Sequence, residues 1–238
     1  MKTKVFAAAV FMALLSYGTS SCTSKSENVS TQHQTQTSDE TDPLDELKKG
    51  NERFCSGNLL HNHQDAGRIQ ELVEGQDPKA VIITCSDSRV PPEIIFDQGL
   101  GDLFTIRTAG NVMADYEEGS IEYAAEHLHT KLIVVMGHEE CGAVHAMLNH
   151  SEADSANHHQ PDHISSIIKA LREEEEAVEA LKNTENKCSA MVRANVIHGV
   201  KQLRNSDPIL SDLYKKNEIR IIGAVYHLDT GMVEFLNI

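Results

Sequence analysis

The chain has 238 residues, of which 40% are hydrophobic, and its formal net charge is −15. This length allows one folded domain of roughly 190 residues after an N-terminal processing segment, enough for a single hydrophobic core. Nucleic acids and anionic lipid surfaces are bound through clustered cations, so a chain this acidic predicts no nucleic-acid partner.

Residues 1–22 have the pattern of a signal peptide. Lys2 and Lys4 precede an apolar run at 5–15 that is too short to span a bilayer, and small residues lead up to Cys22. This arrangement resembles a bacterial lipoprotein signal and predicts an exported protein that is lipidated at Cys22. It would lie in the periplasm or at the outer membrane, held to the membrane by its lipid alone. Ordinary secretion, or a cytoplasmic protein with an apolar start, remains the alternative.

Residues 23–42 are almost entirely polar, which predicts a disordered tether, and 43–238 then form the folded domain. Its first helix is expected over about 43–55, where Asp42 can cap the N-terminus and Pro43 suits the first helical position. A second helix is expected to end near Gly75.

Four apolar runs predict buried strands at 81–84, 103–107, 132–136 and 219–226. A turn at 229–231 predicts that 232–236 returns as an antiparallel edge strand. Helical patterns lie between these runs, at about 120–129 with Ser120 as N-cap, at 164–182 and at 191–203. Apolar strands that alternate with helices indicate an α/β fold with a mostly parallel central sheet flanked by helices.

Three metal-binding side chains follow two of these strands. Cys85 ends the first strand, and His138 and Cys141 come directly after the third. Side chains at the carboxyl ends of parallel strands meet at one edge of the sheet. Two thiolates and one imidazole suit Zn²⁺, and three protein ligands leave a fourth position open, as in catalytic zinc sites. Each piece alone is weak evidence because buried thiols are common, but Asp87 and Arg89 make the set more specific.

Residues 85–89 form a Cys-x-Asp-x-Arg motif, and residues 138–141 form a His-x-x-Cys motif. Both motifs resemble those of the β-class carbonic anhydrases. Further segments are similar to that family, at 50–54, 98–102, 107–111, 121–123 and 223–226. The resemblance covers the chain from about residue 44 to the C-terminus and implies a β-carbonic anhydrase-like fold.

The resemblance implies that Cys85, His138 and Cys141 bind one Zn²⁺ per chain and that the reaction is the reversible hydration of CO₂ to bicarbonate. It also implies that Asp87 orients the reacting water and that Arg89 keeps Asp87 off the metal. A bidentate Arg–carboxylate pair has the geometry for that second task.

Further residues match pocket positions of the family, and the resemblance implies that they bind the substrate. They are Gln76, Phe104, Ala109, Tyr123 and Gly142. The simpler interpretation of Phe104 and Tyr123 is ordinary core, and that of Gln76 is a loop amide. The family forms dimers with active sites at the subunit interface, which implies a homodimer or tetramer here.

Some features depart from the family pattern or leave its activity open. The chain has no Trp, which weighs against the bicarbonate-regulated form of the family, and His227 stands where the family usually has Asp. A hydrolase acting on carbonyl sulfide or carbon disulfide could use the same scaffold and zinc ligands. A non-catalytic zinc-binding surface lipoprotein is the other alternative, although it would not need Asp87 and Arg89.

Two further groups of side chains carry open predictions. His150, His158, His159 and His163 lie in a polar stretch that reads as a solvated loop, with zinc gathering or proton transfer as alternatives. Cys55 and Cys188 could form a disulfide in an oxidising compartment or remain free, buried thiols.

Overall fold

The computed structural model describes residues 41–149, 163–173, 182 and 184–238. Its centre is a sheet whose strands are β1 (Ala80–Cys85), β2 (Leu103–Thr108), β3 (Leu132–His138), β4 (Arg220–Tyr226) and β5 (Val233–Leu236). The strand order is β2-β1-β3-β4-β5. The first four strands run parallel, and β5 pairs antiparallel with β4. The predicted α/β fold, its four apolar strands and its antiparallel return are therefore confirmed.

Helices surround this sheet. They are α1 (Pro43–Ser56), α2 (Ala66–Glu71), α3 (Pro92–Ile95), α4 (Asp115–His127), α5 (Gly142–Asn149), α6 (His163–Glu173), α7 (Lys187–Arg204) and α8 (Ile209–Lys215). Short 3₁₀ turns follow α2 at Leu72–Glu74 and β2 at Ala109–Asn111. The helices predicted at 43–55 and 191–203 are confirmed with small changes of boundary.

The sheet is covered on both faces. All six residues of β1 and all seven of β3 are buried. Val81 and Ile83 point into one hydrophobic cluster, and Ala80 and Ile82 point into the other. Burial on both faces explains why these strands read as continuous apolar runs rather than as alternating ones.

The predicted start of α4 was wrong. The helix begins at Asp115, five residues before Ser120, and the Glu117 carboxylate accepts a hydrogen bond from the Ala114 N–H at 2.9 Å. The Ser120 hydroxyl instead donates to the Tyr116 carbonyl inside the helix at 2.7 Å. A serine inside a helix often donates a hydrogen bond to the carbonyl one turn earlier. The residue type alone does not distinguish such a serine from one that caps the helix N-terminus.

A buried carboxylate that follows α3 connects the first helix to the loop after it. Asp97 accepts hydrogen bonds from the Arg53 guanidinium at 2.5 Å and from the backbone N–H groups of Leu60 and His61. Burial alone would raise the pKa of Asp97, but these hydrogen bonds outweigh it and hold the pKa below the usual carboxyl value. The loop after α1 is therefore fixed by charge-assisted bonds to an ionised group.

Several predictions fall wholly or partly outside the described residues. Residues 1–40, with the signal peptide, Cys22 and nearly all of the tether, lie outside, as do His150, His158 and His159. His163 begins α6, where a helix was predicted from 164. Within the described ranges Cys55, Cys85, Cys141 and Cys188 are free thiols. No helix in those ranges is long and apolar enough to cross a membrane.

Candidate metal centre

The sheet brings the three predicted metal ligands together at one edge. Cys85 is the last residue of β1 and His138 the last residue of the adjacent parallel strand β3. Cys141 lies just before α5. The two sulfurs are 4.0 Å apart, and the three candidate donor atoms all lie within 4.8 Å of one another. All three side chains are buried.

The geometry of this cluster fits a tetrahedral zinc ion. With Zn–S bonds of about 2.3 Å, tetrahedral sulfurs lie about 3.8 Å apart, close to the distance between Cys85 and Cys141. The His138 Nδ1 lies 2.8 Å from the Glu139 carbonyl, which can only accept, so Nδ1 carries the proton. Its Nε2 is buried and has no hydrogen-bond partner. An unpartnered imidazole lone pair that faces two thiols, with the other ring nitrogen fixed by a carbonyl, is the arrangement of a metal ligand.

Backbone N–H groups are directed at both sulfurs. Cys85 Sγ accepts from the N–H of Asp87 at 3.4 Å and of Gly110 at 3.3 Å. Cys141 Sγ accepts from the N–H groups of Ala143 and Val144. The hydrogen bond between the two sulfurs lowers the pKa of Cys85 and, together with burial, raises that of Cys141, so the pair shares one proton. A bound cation would replace that proton.

Asp87 and Arg89 lie beside the three ligands, as the motif predicts. Arg89 Nε and Nη2 donate to the two carboxylate oxygens of Asp87 at 3.0 and 2.8 Å, and the Arg89 backbone N–H donates at 2.9 Å. These bonds lower the pKa of Asp87 to about 2, so the carboxylate is ionised at neutral pH. Asp87 Oδ2 lies 3.8 Å from His138 Nε2, at the edge of the metal cluster.

The turn that carries Asp87 is held from the neighbouring strand. Arg107, near the end of β2, donates from Nε to the Cys85 carbonyl at 3.1 Å and from Nη2 to the Asp87 carbonyl at 2.6 Å. Asn195 of α7 donates to the Gly110 carbonyl at 2.7 Å. The sequence singled out neither Arg107 nor Asn195 for a role at the site. The one signal for Arg107 was that it lies in the segment 107–111, which resembles the family.

The predicted substrate residues fall into two groups. Ala109 lies in the turn next to Gly110 and is therefore beside the metal cluster. Gly142 adjoins Cys141 and is exposed, but the N–H groups directed at that sulfur belong to the next two residues.

Phe104, Tyr123 and Gln76 lie away from the metal cluster of their own chain. Phe104 pairs with Val81, four residues before Cys85, which is about 13 Å along the strand. The ring of Tyr123 lies 6.4 Å from that of Phe104, and Tyr123 lines an open cleft with Gln76. Tyr123 is 48% exposed, so it is not an ordinary core residue. Phe104 is partly buried against the main hydrophobic cluster, as the simpler interpretation holds.

His227, the departure from the family pattern, lies between carboxylates. Its Nδ1 is 3.0 Å from Glu139 and its Nε2 is 3.3 Å from Glu234. Arg193 also pairs with Glu234, and its hydrogen bond lowers the pKa of that carboxyl. The imidazole thus separates Glu234 of β5 from Glu139, the residue that follows the ligand His138.

Comparison with known proteins identifies the class to which this fold and cluster belong. The family model described as carbonic anhydrase matches residues 80–233. The carbonic anhydrase of Mycolicibacterium smegmatis is 37% identical over 189 residues, covering 79% of this chain and 89% of that protein. The chain belongs to the carbonic anhydrase family.

Two further proteins refine this similarity. Carbonic anhydrase 2 of Mycobacterium tuberculosis is 56% identical over 102 residues, which are 43% of this chain, so the match spans about half (49%) of that relative's length. A tetrameric β-carbonic anhydrase of Sordaria macrospora has a similar structure, with a TM-score of 0.60 at 25% identity. The match covers 71% of this chain and 86% of that one. The fold is that of the β class.

Proposed function

We propose that this chain is a zinc-dependent carbonic anhydrase that interconverts CO₂ and bicarbonate. The observation that carries the proposal is the buried Cys85–His138–Cys141 cluster with an ionised Asp87 at its edge. A structural zinc is closed by four protein ligands, whereas this cluster offers three. Zinc bound there would lower the pKa of a water molecule toward 7 and so supply a nucleophile at neutral pH.

The residues around the cluster have separate tasks in this reaction. Asp87 is ionised and can only accept, so it can take the hydrogen bond of the reacting water and fix its orientation. Arg89 occupies both carboxylate oxygens and thereby keeps Asp87 off the metal. The N–H groups of Gly110 and Asp87 stabilise the Cys85 thiolate. Ala109 gives the small, apolar CO₂ a wall without polar competition.

The remaining pocket residues support a homo-oligomer. Phe104 lies about 13 Å from the metal end of its own sheet, and Tyr123 and Gln76 lie with it. If they line a substrate pocket, it is the pocket of a second copy. The tetrameric Sordaria macrospora relative supports an assembly of this kind, as a homodimer or tetramer.

Stopped-flow CO₂ hydration tests the activity. We expect a zinc-loaded chain to be active and Cys85→Ser to lose both zinc and turnover. Cys55→Ser is the matched control, because Cys55 is a free thiol outside the three-ligand cluster. Turnover on carbonyl sulfide or carbon disulfide without CO₂ hydration would favour the hydrolase instead. Zinc-loaded wild type that is inactive on all three would contradict an enzymatic role.

Subunit complementation tests the shared pocket. Tyr123→Ala chains and Cys85→Ser chains would each be inactive as homo-oligomers. After mixed refolding, half-sites would combine so that one pocket of a mixed dimer has neither defect, and activity should return. The absence of any recovery in mixed dimers isolated by two affinity tags would contradict a pocket built by two chains.

We also propose that the protein is exported and anchored by lipid at Cys22. The support is the sequence pattern alone: two lysines, an apolar run at 5–15 and small residues before the cysteine. Cys22→Ala should move the protein from the membrane fraction to a soluble exported fraction and abolish incorporation of labelled fatty acid. Unchanged membrane association and labelling in the variant would contradict the anchor.

A further inference from the structure

A second cluster of metal-binding side chains lies behind the first. Glu140 precedes the ligand Cys141, His145 lies in α5, and Cys188 lies in the first turn of α7. Their donor atoms all lie within 4.8 Å of one another. His145 Nε2 is 2.9 Å from Glu140 Oε2 and 3.4 Å from Cys188 Sγ. The chain therefore brings one imidazole, one thiol and one carboxylate to a common point.

The way these groups meet favours a cation over a hydrogen-bonded chain. A histidine that relays between a thiol and a carboxylate uses its two ring nitrogens, one as donor and one as acceptor. Here both partners face the same nitrogen, Nε2. That nitrogen has either one proton or one lone pair, so it can make a well-aligned hydrogen bond with one partner at a time and at best a weaker, shared bond with both. A metal ion at the common point would take one lone pair from each of Glu140, His145 and Cys188.

The distances and surroundings also suit a metal. Tetrahedral zinc places sulfur and nitrogen ligands about 3.6 Å apart and nitrogen and oxygen ligands about 3.4 Å apart. The observed 3.4 Å and 2.9 Å require only a small outward movement of Glu140, whose side chain is 65% exposed and free to swing. The backbone N–H groups of Glu140 and Cys141 point at Cys188 Sγ, as N–H groups do at both sulfurs of the first centre.

We propose that Glu140, His145 and Cys188 form a second metal site, which takes a borderline-soft divalent cation of the Zn²⁺ type. A Cys, His and Glu donor set is the chemistry that zinc prefers, and it disfavours Mg²⁺ and Ca²⁺, which require oxygen ligands. Glu139 and Glu140 place negative charge beside the sulfur and so attract a cation. His145 is 43% exposed, which leaves an entry path from solvent to the buried thiol.

Cobalt titration of the zinc-containing protein tests the site. Co²⁺ takes the same ligands as zinc, and its bond to a thiolate absorbs in the near ultraviolet. Wild type should bind one further Co²⁺ with that absorption while a chelator dye detects no released zinc. Cys188→Ser should lose the absorption and weaken cobalt binding by about tenfold or more, since even second-shell changes cost that much. Glu140→Gln should weaken binding and keep the absorption.

The controls separate this site from other possibilities. Cys55→Ser removes a thiol from outside both clusters and should leave the titration unchanged. Cobalt bound without thiolate absorption would be held by other side chains, and this result would overturn the proposal. Thiolate absorption that survives Cys188→Ser in protein whose first centre is shown by zinc analysis to be full would overturn it as well. If that analysis finds the first centre empty, which would count against the proposed function alone, the same titration is made on Cys85→Ser and on Cys85→Ser/Cys188→Ser, and only the former should show the thiolate absorption.

Discussion

Replacement of Gly110 by alanine should destabilise the protein and weaken metal binding through the turn that follows β2. Gly110 has a φ of +69°, which L side chains rarely adopt, and its N–H is directed at Cys85 Sγ. A Cβ there would lie 2.9 Å from the Ala143 Cβ and 3.4 Å from Leu171 Cδ1. Ala143 is the second residue of α5, two residues after the ligand Cys141. The added methyl group would therefore push the turn at 109–111 away from the start of α5, next to Cys141.

The cost has two parts. A left-handed conformation costs a residue with a Cβ about 1–2 kcal/mol, and overpacking against a close neighbour costs about 1–3 kcal/mol. We expect Gly110→Ala to lower the free energy of unfolding by about 2–5 kcal/mol. The first contact lies between two Cβ atoms, which cannot turn aside as the end of a long side chain can. Zinc should also be lost to a competing chelator at a lower chelator concentration.

Urea unfolding at one protein concentration measures the first effect, and Gly119→Ala is its control. Gly119 is an exposed glycine inside α4, and a Cβ there meets no atom within 4 Å. Alanine at that position should stabilise the helix by about 1 kcal/mol. The two substitutions are chemically identical and should have effects of opposite sign.

A second substitution separates the two contributions to this loss of stability. Ala143→Gly removes the atom that the new Cβ would meet but has its own cost of about 1 kcal/mol in α5. Measured against Ala143→Gly alone, Gly110→Ala/Ala143→Gly should therefore recover the overpacking part and retain the left-handed cost of about 1–2 kcal/mol. If Gly110→Ala unfolds at the same urea concentration as the parent and keeps its zinc equally well, the argument from φ and contact distance is refuted.

Three other predictions follow from single side chains. Arg89→Lys should keep its zinc and lower CO₂ hydration by about tenfold or more in stopped flow, because an ammonium cannot hold both oxygens of Asp87; unchanged turnover would contradict this. Asp97→Asn should cost about 1–3 kcal/mol at neutral pH. Because the pKa of Asp97 is lowered in the folded state, the difference in urea midpoint between the parent and Asp97→Asn should be complete above about pH 4 and should narrow as the pH falls below that value. A difference that does not depend on pH would contradict this prediction. His227→Asp would add a fourth carboxylate to Glu139, Asp229 and Glu234 and should cost about 1–3 kcal/mol in urea unfolding, whereas His227→Gln should cost less.

The fold was accessible from sequence where burial leaves a simple pattern. The strands that carry Cys85 and His138 are buried on both faces, so their apolar runs and their order with helices determined the parallel sheet. The residue types after those strands indicated the metal cluster. The start of α4 was missed because Ser120 can cap a helix or bond back within one, and only the contacts of the folded chain decide between these.

The groups that shape the site were harder to predict from sequence because they depend on backbone conformation or on contacts between segments far apart in the chain. Gly110 contributes an N–H, and its conformation depends on how β2 ends against β1. Cys188 meets His145 from a helix that begins 42 residues later in the chain, and no local pattern reports such a contact. The pocket residue Phe104 was assigned by resemblance, and resemblance alone does not show that it lies far from Cys85 in its own chain.

These observations are connected by the backbone conformation of two loops beside the metal ligands, the turn at 109–111 and the turn at 139–141. Asn111 and Glu140 both have positive φ, at +46° and +52°, which is unfavourable for residues with a Cβ. Such conformations persist only where neighbours impose them. Asn195 holds the first loop through the Gly110 carbonyl at 2.7 Å, and Arg89 approaches the Glu140 carbonyl of the second at 3.4 Å. The strain therefore lies where N–H groups are aimed at sulfur, and metal binding would contribute to holding both loops in place.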